Sequence, residues 1–449
     1  QFFPVREVKF PSGPPCRPIM GSASVLPGSL IVINNEELPG RLYDRTFLIA
    51  VLSQMGFVLG NTLMTHYGRW IEYLGGDAAQ VGWVMGLGAA SAVICRPWLG
   101  QLINRLGPRT TWAIGYVLFA IGVVPNMLVS DGLLDQGAGV SLYLFRACMA
   151  LGAAFVFTSS LTYVTHLAPR HRRTEVIGIL GIAGFVGMMI GPFVGDMLLD
   201  RPDRDRGDFA ILFLAAGSAV VIPLLLLLFL PRPEKTRVEQ SGGLVQFVRL
   251  CRRYWPGPVV LVCLAFGFCM TVPFVFLPTF VDQRGITLGS WSTIGVFFWV
   301  YSCWGIFLRV VFRRLPERIG RHNVLYAGLT AMVLAMLMYY RIDPERPWTF
   351  LLAAWMGDTG HGLLFHTAVS LTIDAFPSEV RGTGTALATM FIDLGMVGGP
   401  PVLGIIAKRT GYQEMFLVIG AVVAVIGIFY ACWRRFGRHH DRSVSPSNG

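Results

Sequence analysis

Two different motifs occur twice in this chain at nearly one spacing. RPWLGQLINRLGPR (residues 96–109) returns as RVVFRRLPERIGRH (309–322), so Arg96, Leu102, Arg105 and Gly107 recur 213 positions later as Arg309, Leu315, Arg318 and Gly320. GMMIGP (Gly187 to Pro192) returns as GMVGGP (Gly395 to Pro400), 208 positions later. Two unrelated motifs duplicated in register mean that the chain is two copies of one unit. Whatever the fold, it must be built from two similar halves.

Composition says what those halves are made of. Of the 449 residues, 53% are hydrophobic and only 14% are charged. Soluble domains carry about a quarter charged residues. A membrane span needs roughly 20 apolar residues. Twelve runs of that kind are predicted, at about 45–67, 77–98, 110–130, 140–164, 175–198, 209–230, 258–281, 291–312, 323–341, 349–371, 384–407 and 414–433. Lipid leaves no partner for open strands, and no alternating barrel pattern is present, so the spans are helices. The expectation is an all-α membrane protein with twelve transmembrane helices in two pseudo-symmetric six-helix halves. Its parts are a disordered cytoplasmic tail over 1–42, a first six-helix bundle over 43–231, a linker over 232–256, a second bundle over 257–433 and a basic tail over 434–449. Within the linker, LVQFVRLCRRYW (244–255) suits a short helix lying on the inner membrane face, with an unstructured segment as the alternative.

Charge gives the orientation. The clusters PRHRR (169–173), RLCRR (249–253), RRLPER (313–318) and RRFGR (434–438) all fall on one side if the N-terminus is cytoplasmic. That asymmetry predicts N-in and C-in, in the cell's inner (plasma) membrane. The net charge of +11 is then explained by anionic lipid at the inner leaflet and calls for no nucleic acid. The 8 cysteines are scattered without CxxC or zinc spacing, so neither a disulfide framework nor a metal site is expected. The phosphate-binding pattern GxxxxGK[ST] is absent, and no other cofactor is implied.

The loop pair closely resembles the signature of the major facilitator superfamily, roughly RPxxGxLxDRxGRR between spans 2 and 3, with a degenerate echo between spans 8 and 9. Arg96, Pro97, Gly100, Leu102, Arg105, Gly107 and Arg109 match, while Asn104 stands where Asp is usual. The second copy keeps the acid as Glu317 but replaces the glycine with Arg313. Gly100 lets two helices approach closely, and Gly107 suits a turn that other residues resist. The resemblance implies a cytoplasmic gate built from Arg96, Gly100, Asn104, Arg105, Gly107, Arg109, Arg309, Glu317, Arg318 and Gly320. The turns PRHRRTEVIG and PSEVRGTG resemble the family's P-x-x-x-R-G element and add Arg173 and Arg381. With Asn104 uncharged, the latch on the N-terminal side is expected to be weaker. The alternative is that these arginines only set topology.

The same resemblance extends into the spans. RACMALGAA (Arg146 to Ala154) is similar to the fourth-span motif whose arginine is linked to proton coupling. A charge there costs at least ~2.5–3.5 kcal/mol, so Arg146 should face a wet cavity or a carboxylate, or else snorkel to the outer surface. In spans 5 and 11, Gly187, Gly191, Pro192, Gly395, Gly399 and Pro400 provide close packing and a kink. The G-x-x-x-G-P form resembles that of antiporters. Span 10 carries MGDTGHGLLFHT, in which Asp358 and His361 share a helix face and His366 lies further along. Asp393 is mid-span in span 11, and Asn61 interrupts span 1. Ionisable groups at such depth are candidates for holding substrate or the coupling proton. Family architecture also places Thr271 and Phe274 near a central cavity. A buried hydrogen-bonded pair that locks helices is the alternative for Asp358 and His361.

These features together predict a proton-coupled secondary transporter of a small organic solute, working as a monomer by alternating access, most simply an exporter. An uptake symporter and a transport-dead receptor are the alternatives. A membrane enzyme would need a nucleophile–base pair or an HExxH helix, and neither is found.

Overall fold

The computed structural model describes residues 44–130, 139–167, 173–199, 204–231, 244–312, 315–377 and 380–442. The predicted tail over 1–42 lies outside the described residues. Twelve long helical spans follow one another in the chain. Span 1 is Arg45–Leu63, a tight turn Met64–His66 and Tyr67–Tyr73; spans 2 to 6 are Ala78–Leu106, Pro108–Val123 with Val124–Leu128, Val140–Leu167, Arg173–Leu198 and Arg206–Leu226. Span 7 is Val259–Thr271, a π-helical turn Val272–Phe276 and Leu277–Arg284. Spans 8 to 12 are Thr293–Val311, Arg321–Tyr340, Thr349–Asp374, Arg381–Thr410 and Tyr412–Arg442.

Among the described residues, 11 of these helices are long and apolar enough to cross a membrane by length and composition alone. Span 10, Thr349–Asp374, is the exception. Its 26 residues suffice for length, but Asp358, His361 and His366 dilute its hydropathy. A helix that polar survives in a bilayer only if its neighbours cover it.

The duplicated loop is mostly not a loop. Residues 96–106 continue span 2, and the chain turns only at Gly107, where φ is +85°. The second copy does the same: a short helix Leu315–Ile319 leads to Gly320 at φ +86°. These two glycines take up a backbone shape that L side chains resist, so the expected turn stands, but it is one residue wide. Both turns lie at the end of the bundle that also carries Arg434 and Arg435, called here the basic end. The opposite end, which holds the turn between spans 1 and 2, is the far end.

Glycines decide how closely the spans approach. A Cβ on Gly187 would lie 2.8 Å from the Met55 carbonyl oxygen, and one on Gly191 2.2 Å from the Thr62 hydroxyl, so span 5 rests directly on span 1. The copy repeats this: a Cβ on Gly395 would meet the Leu264 carbonyl oxygen at 2.3 Å, and one on Gly399 the Thr271 methyl at 2.7 Å, which seats span 11 on span 7. Pro192 and Pro400 both lie inside helices. Two seams join the halves. Span 2 packs on span 11, where a Cβ on Gly82 would sit 2.1 Å from the Pro400 oxygen and one on Gly404 2.3 Å from the Ala78 oxygen. Span 5 packs on span 8, where a Cβ on Gly295 would meet Phe193 at 2.5 Å.

The linker contains a helix, Leu244–Arg253. Cys251 is buried against Val260, Phe376 and Leu387, with Phe247 and Tyr254 beside it. Leu244, Val245 and Val248 remain exposed on its other side. The last helix runs on to Arg442, so the basic segment that begins at Arg434 starts as helix.

Candidate functional site

Span 10 places Asp358 and His361 one turn apart, with the His361 Nδ1 3.6 Å from an Asp358 oxygen. Asp358 is fully buried, and neither carboxylate oxygen has a hydrogen-bond partner among the described residues. Gly305 of span 8 makes room for it: a Cβ there would be 2.6 Å from Asp358 Oδ2 and 2.8 Å from Cε1 of Phe185. The Tyr301 hydroxyl lies 2.8 Å from His361 Nδ1. Phe266 of span 7 and Phe185 of span 5 close around the imidazole, at centroid separations of 5.2 and 6.0 Å. The second half therefore holds a small polar centre, and Phe185 reaches it from the first half.

Arg309 belongs to this centre. Sequence comparison with Arg96 also places it among the gate residues. It lies in the last turn of span 8, and its guanidinium lies 4.1 Å from the Phe185 ring centroid. Its Nη1 donates to the Gly305 carbonyl at 3.3 Å. It is within electrostatic reach of Asp358 without forming an ion pair.

Arg146 sits elsewhere, on the wall of the first half. Its guanidinium carbon is 5.8 Å from the centre of the Tyr67 ring, whose hydroxyl donates to Asn126 Oδ1 at 2.8 Å. A Cβ on Gly88 would collide with the Arg146 Cγ at 2.4 Å, so that glycine is what admits the side chain. Its Nε is buried without a partner, and no carboxylate among the described residues pairs with it. Of the two surroundings expected for it, the carboxylate is not found. Asn61 is half-buried one residue before Thr62, whose hydroxyl donates to the Val58 and Gly187 carbonyls at 2.7 and 3.2 Å. His366 is exposed beside Phe365. Asp393 faces the other seam, where its Oδ2 is 2.5 Å from Arg96 Nε. Thr271 is buried against Gly399 and Phe274 packs on Phe298, so neither stands beside the polar centre.

The expected gate residues divide. Arg109 donates to the Leu230 and Leu228 carbonyls at 2.6 and 3.1 Å, tying the turn at Gly107 to the end of span 6. Arg105 and Arg318 are exposed. Gly100 lies within span 2, and the side chains of Asn104, Glu317, Arg173 and Arg381 lie outside what is described.

The densest charge cluster was not foreseen. At the far end, Arg69 donates to Asp282 through Nε (2.8 Å) and Nη2 (2.7 Å), and to Asp196 through Nη1 (2.7 Å). Arg204 also pairs with Asp282. Asp196 accepts from the Ser292 hydroxyl at 2.9 Å and the Ile294 amide at 3.0 Å, so a carboxylate of the first half caps span 8 of the second. His66 lies between: Arg69 donates to its Nδ1 at 2.9 Å, and its Nε2 donates to the Pro192 carbonyl at 3.1 Å. Since arginine only donates and the carbonyl only accepts, the ring is neutral with its proton on Nε2. Arg69 is 3% exposed and Asp196 8%, while Asp282 and Arg204 are 25% and 26% exposed, so the network is desolvated at its centre and bridges both halves at the far end.

This architecture has known counterparts. The protein is 23% identical over 362 residues to an MFS-type transporter, YhhS, of Escherichia coli (strain K12), covering 79% of this chain and 83% of that one. It is 22% identical over 345 residues to the multidrug resistance protein MdtG of Enterobacter lignolyticus (strain SCF1), covering 75% and 78%. Its backbone matches the crystal structure of the nucleoside transporter NupG with a TM-score of 0.69 at 14% identity, over 87% of this chain and 99% of that one. The sequence profile of the Major Facilitator Superfamily matches residues 46–357 and 317–449, which is nearly every span described above. The chain belongs to the Major Facilitator Superfamily, an integral membrane transporter of twelve helices in two halves.

Proposed function

We propose that this transporter exports a small organic solute in exchange for protons, by rocking its two halves around a central site. The halves are residues 43–231 and 257–433, joined by the linker 232–256, and one chain is the working unit. The observation that carries the reading is Asp358. A carboxylate fully buried in a span, with neither oxygen hydrogen-bonded, is an incomplete group. It must take a proton or a counter-charge, and His361 and Arg309 stand ready to exchange one for the other. Asn61, Arg146, His366 and Asp393 are the remaining candidates for holding solute or proton.

The basic end faces the cytoplasm by the positive-inside rule, with both termini on that side. The far end, sealed by the Arg69 network, is then the outer gate, and the arginines around Gly107 and Gly320 serve the inner one. The G-x-x-x-G-P motif in spans 5 and 11 and the similarity to a multidrug resistance protein favour export over uptake.

Flux in proteoliposomes under an imposed pH gradient tests this. Asp358→Asn should abolish gradient-driven flux while leaving exchange at equal pH, and His361→Ala should weaken coupling. If both variants respond to the gradient as the unaltered protein does, the coupling site lies elsewhere.

A further inference from the structure

The two seams between the halves carry related arginines with different partners. Arg96 of span 2 reaches across to Asp393 of span 11. Its counterpart Arg309 of span 8, 213 positions later, reaches across to span 5. What it meets there is Phe185, which precedes Asp393 by 208 positions and is therefore its counterpart. One seam holds its arginine with a carboxylate, the other with an aromatic ring. Arg96 and Asp393, 38% and 18% exposed, hold each other by opposite charge, whereas a ring holds a guanidinium by roughly 0.5–2 kcal/mol and loses it to a nearby negative charge.

That negative charge is within reach. Gly305 lies one turn before Arg309, and the space at its Cα is bounded by Asp358 Oδ2 at 2.6 Å and Phe185 Cε1 at 2.8 Å from an ideal Cβ. The two possible resting places for the guanidinium thus border the same glycine. The other ionisable groups around the pair are Tyr301 of span 8, His361 and His366 of span 10, Cys269 of span 7 and Tyr339 of span 9. Among these described neighbours Asp358 is the carboxylate.

We infer that Arg309 is a two-position reader of Asp358: it lies on Phe185 when the carboxyl holds a proton, and swings to the carboxylate when the proton leaves. In the first position it clamps the span 5–span 8 seam; in the second it releases Phe185 and loosens the seam. The step breaks the Asp358 O–H bond, passes the proton to water on the side to which the site is open, and relocates one positive charge. Arg309 is a positioning residue, and this role rests on the proton-coupling reading of Asp358.

A thiol reporter is built into the seam, because the Met189 sulfur lies 3.8 Å from the Cys303 sulfur. Met189→Cys, in a chain whose other cysteines except Cys303 are replaced, allows crosslinking by a short bifunctional thiol reagent. Crosslinking, corrected for the thiolate fraction at each pH, should be fast at acid pH and fall about tenfold at alkaline pH, the change that ~1.4 kcal/mol brings. Asp358→Asn should fix it at the fast rate, Phe185→Leu should fix it at the slow rate, and Phe185→Tyr should restore the pH response. If Phe185→Leu keeps the full pH response while Asp358→Asn abolishes gradient-driven flux, the Arg309 role is wrong and the coupling reading survives. If Asp358→Asn leaves both flux and pH response intact, both fall.

Discussion

Arg69 of span 1 and Asp282 of span 7 hold each other across the far end with bonds of 2.8 and 2.7 Å. The pair joins the halves where they must separate for the far end to open.

Arg69→Gln should release that end. Removing one partner from a buried ionic network costs roughly 3–5 kcal/mol, because Asp196 is left without its cation while Asp282 keeps only Arg204. The Ile294 amide, which donates to Asp196, reports the change directly. Hydrogen–deuterium exchange of the segment 288–297 should speed up by at least about tenfold. Unaltered exchange would mean that the network does not hold the end shut. The reciprocal exchange Arg69→Asp with Asp282→Arg should fail to restore protection. Arg204 flanks one position and Asp196 the other, so both swapped residues would face a like charge.

Close glycine contacts give a prediction with an internal control. Gly82→Ala places a methyl 2.1 Å from the Pro400 oxygen, which is backbone and cannot turn aside. Gly181→Ala places one where nothing lies within 4 Å. The first should lower the melting temperature in detergent and stop transport. The second should match the unaltered protein in both. Equal tolerance at the two sites would show that spans 2 and 11 are not packed as described.

The ion pair between Lys408 and Asp77, 2.7 Å long, should matter little. Both side chains are largely exposed, at 58% and 40%, and such pairs contribute about 0–1 kcal/mol. Partial burial works against ionisation of Asp77, but the Lys408 ammonium and the Gln80 and Ala79 amides outweigh it and hold the carboxyl below the usual aspartate value. A lowered carboxyl contributes stability that is present above its unfolded value and fades as pH falls through the lowered one. The pair therefore stays intact across neutral and mildly acid pH. Lys408→Ala should leave exchange of segment 288–297 within about threefold of the unaltered rate, far short of Arg69→Gln. An equal effect of the two substitutions would overturn this ranking.

What could be read from the sequence followed from energy. Asp358, His361 and Arg146 stood out because charge inside an apolar run is expensive, and the structure brings Asp358 and His361 together. Arg69 and Asp282 escaped notice for the same reason in reverse. Each ends an apolar run, so the predicted spans stopped at about 67 and 281, whereas the helices continue to Tyr73 and Arg284. A charge at a helix end reads as a boundary until its partner on another span is known. The alignment of Arg309 with Arg96 described ancestry, and ancestry does not say that its side chain meets Phe185. Phe185 carried no signal, since an aromatic residue in a span is unremarked in sequence.

Spans 1 and 7 are each interrupted before the far end, at Met64–His66 and Val272–Phe276. Arg69 rides on the seven-residue piece beyond the first break, and Asp282 on the eight-residue piece beyond the second. The two charges are thus mounted on short pegs jointed to the long rods. Unlatching can begin with a tilt of these pegs, before either bundle has to turn as a body.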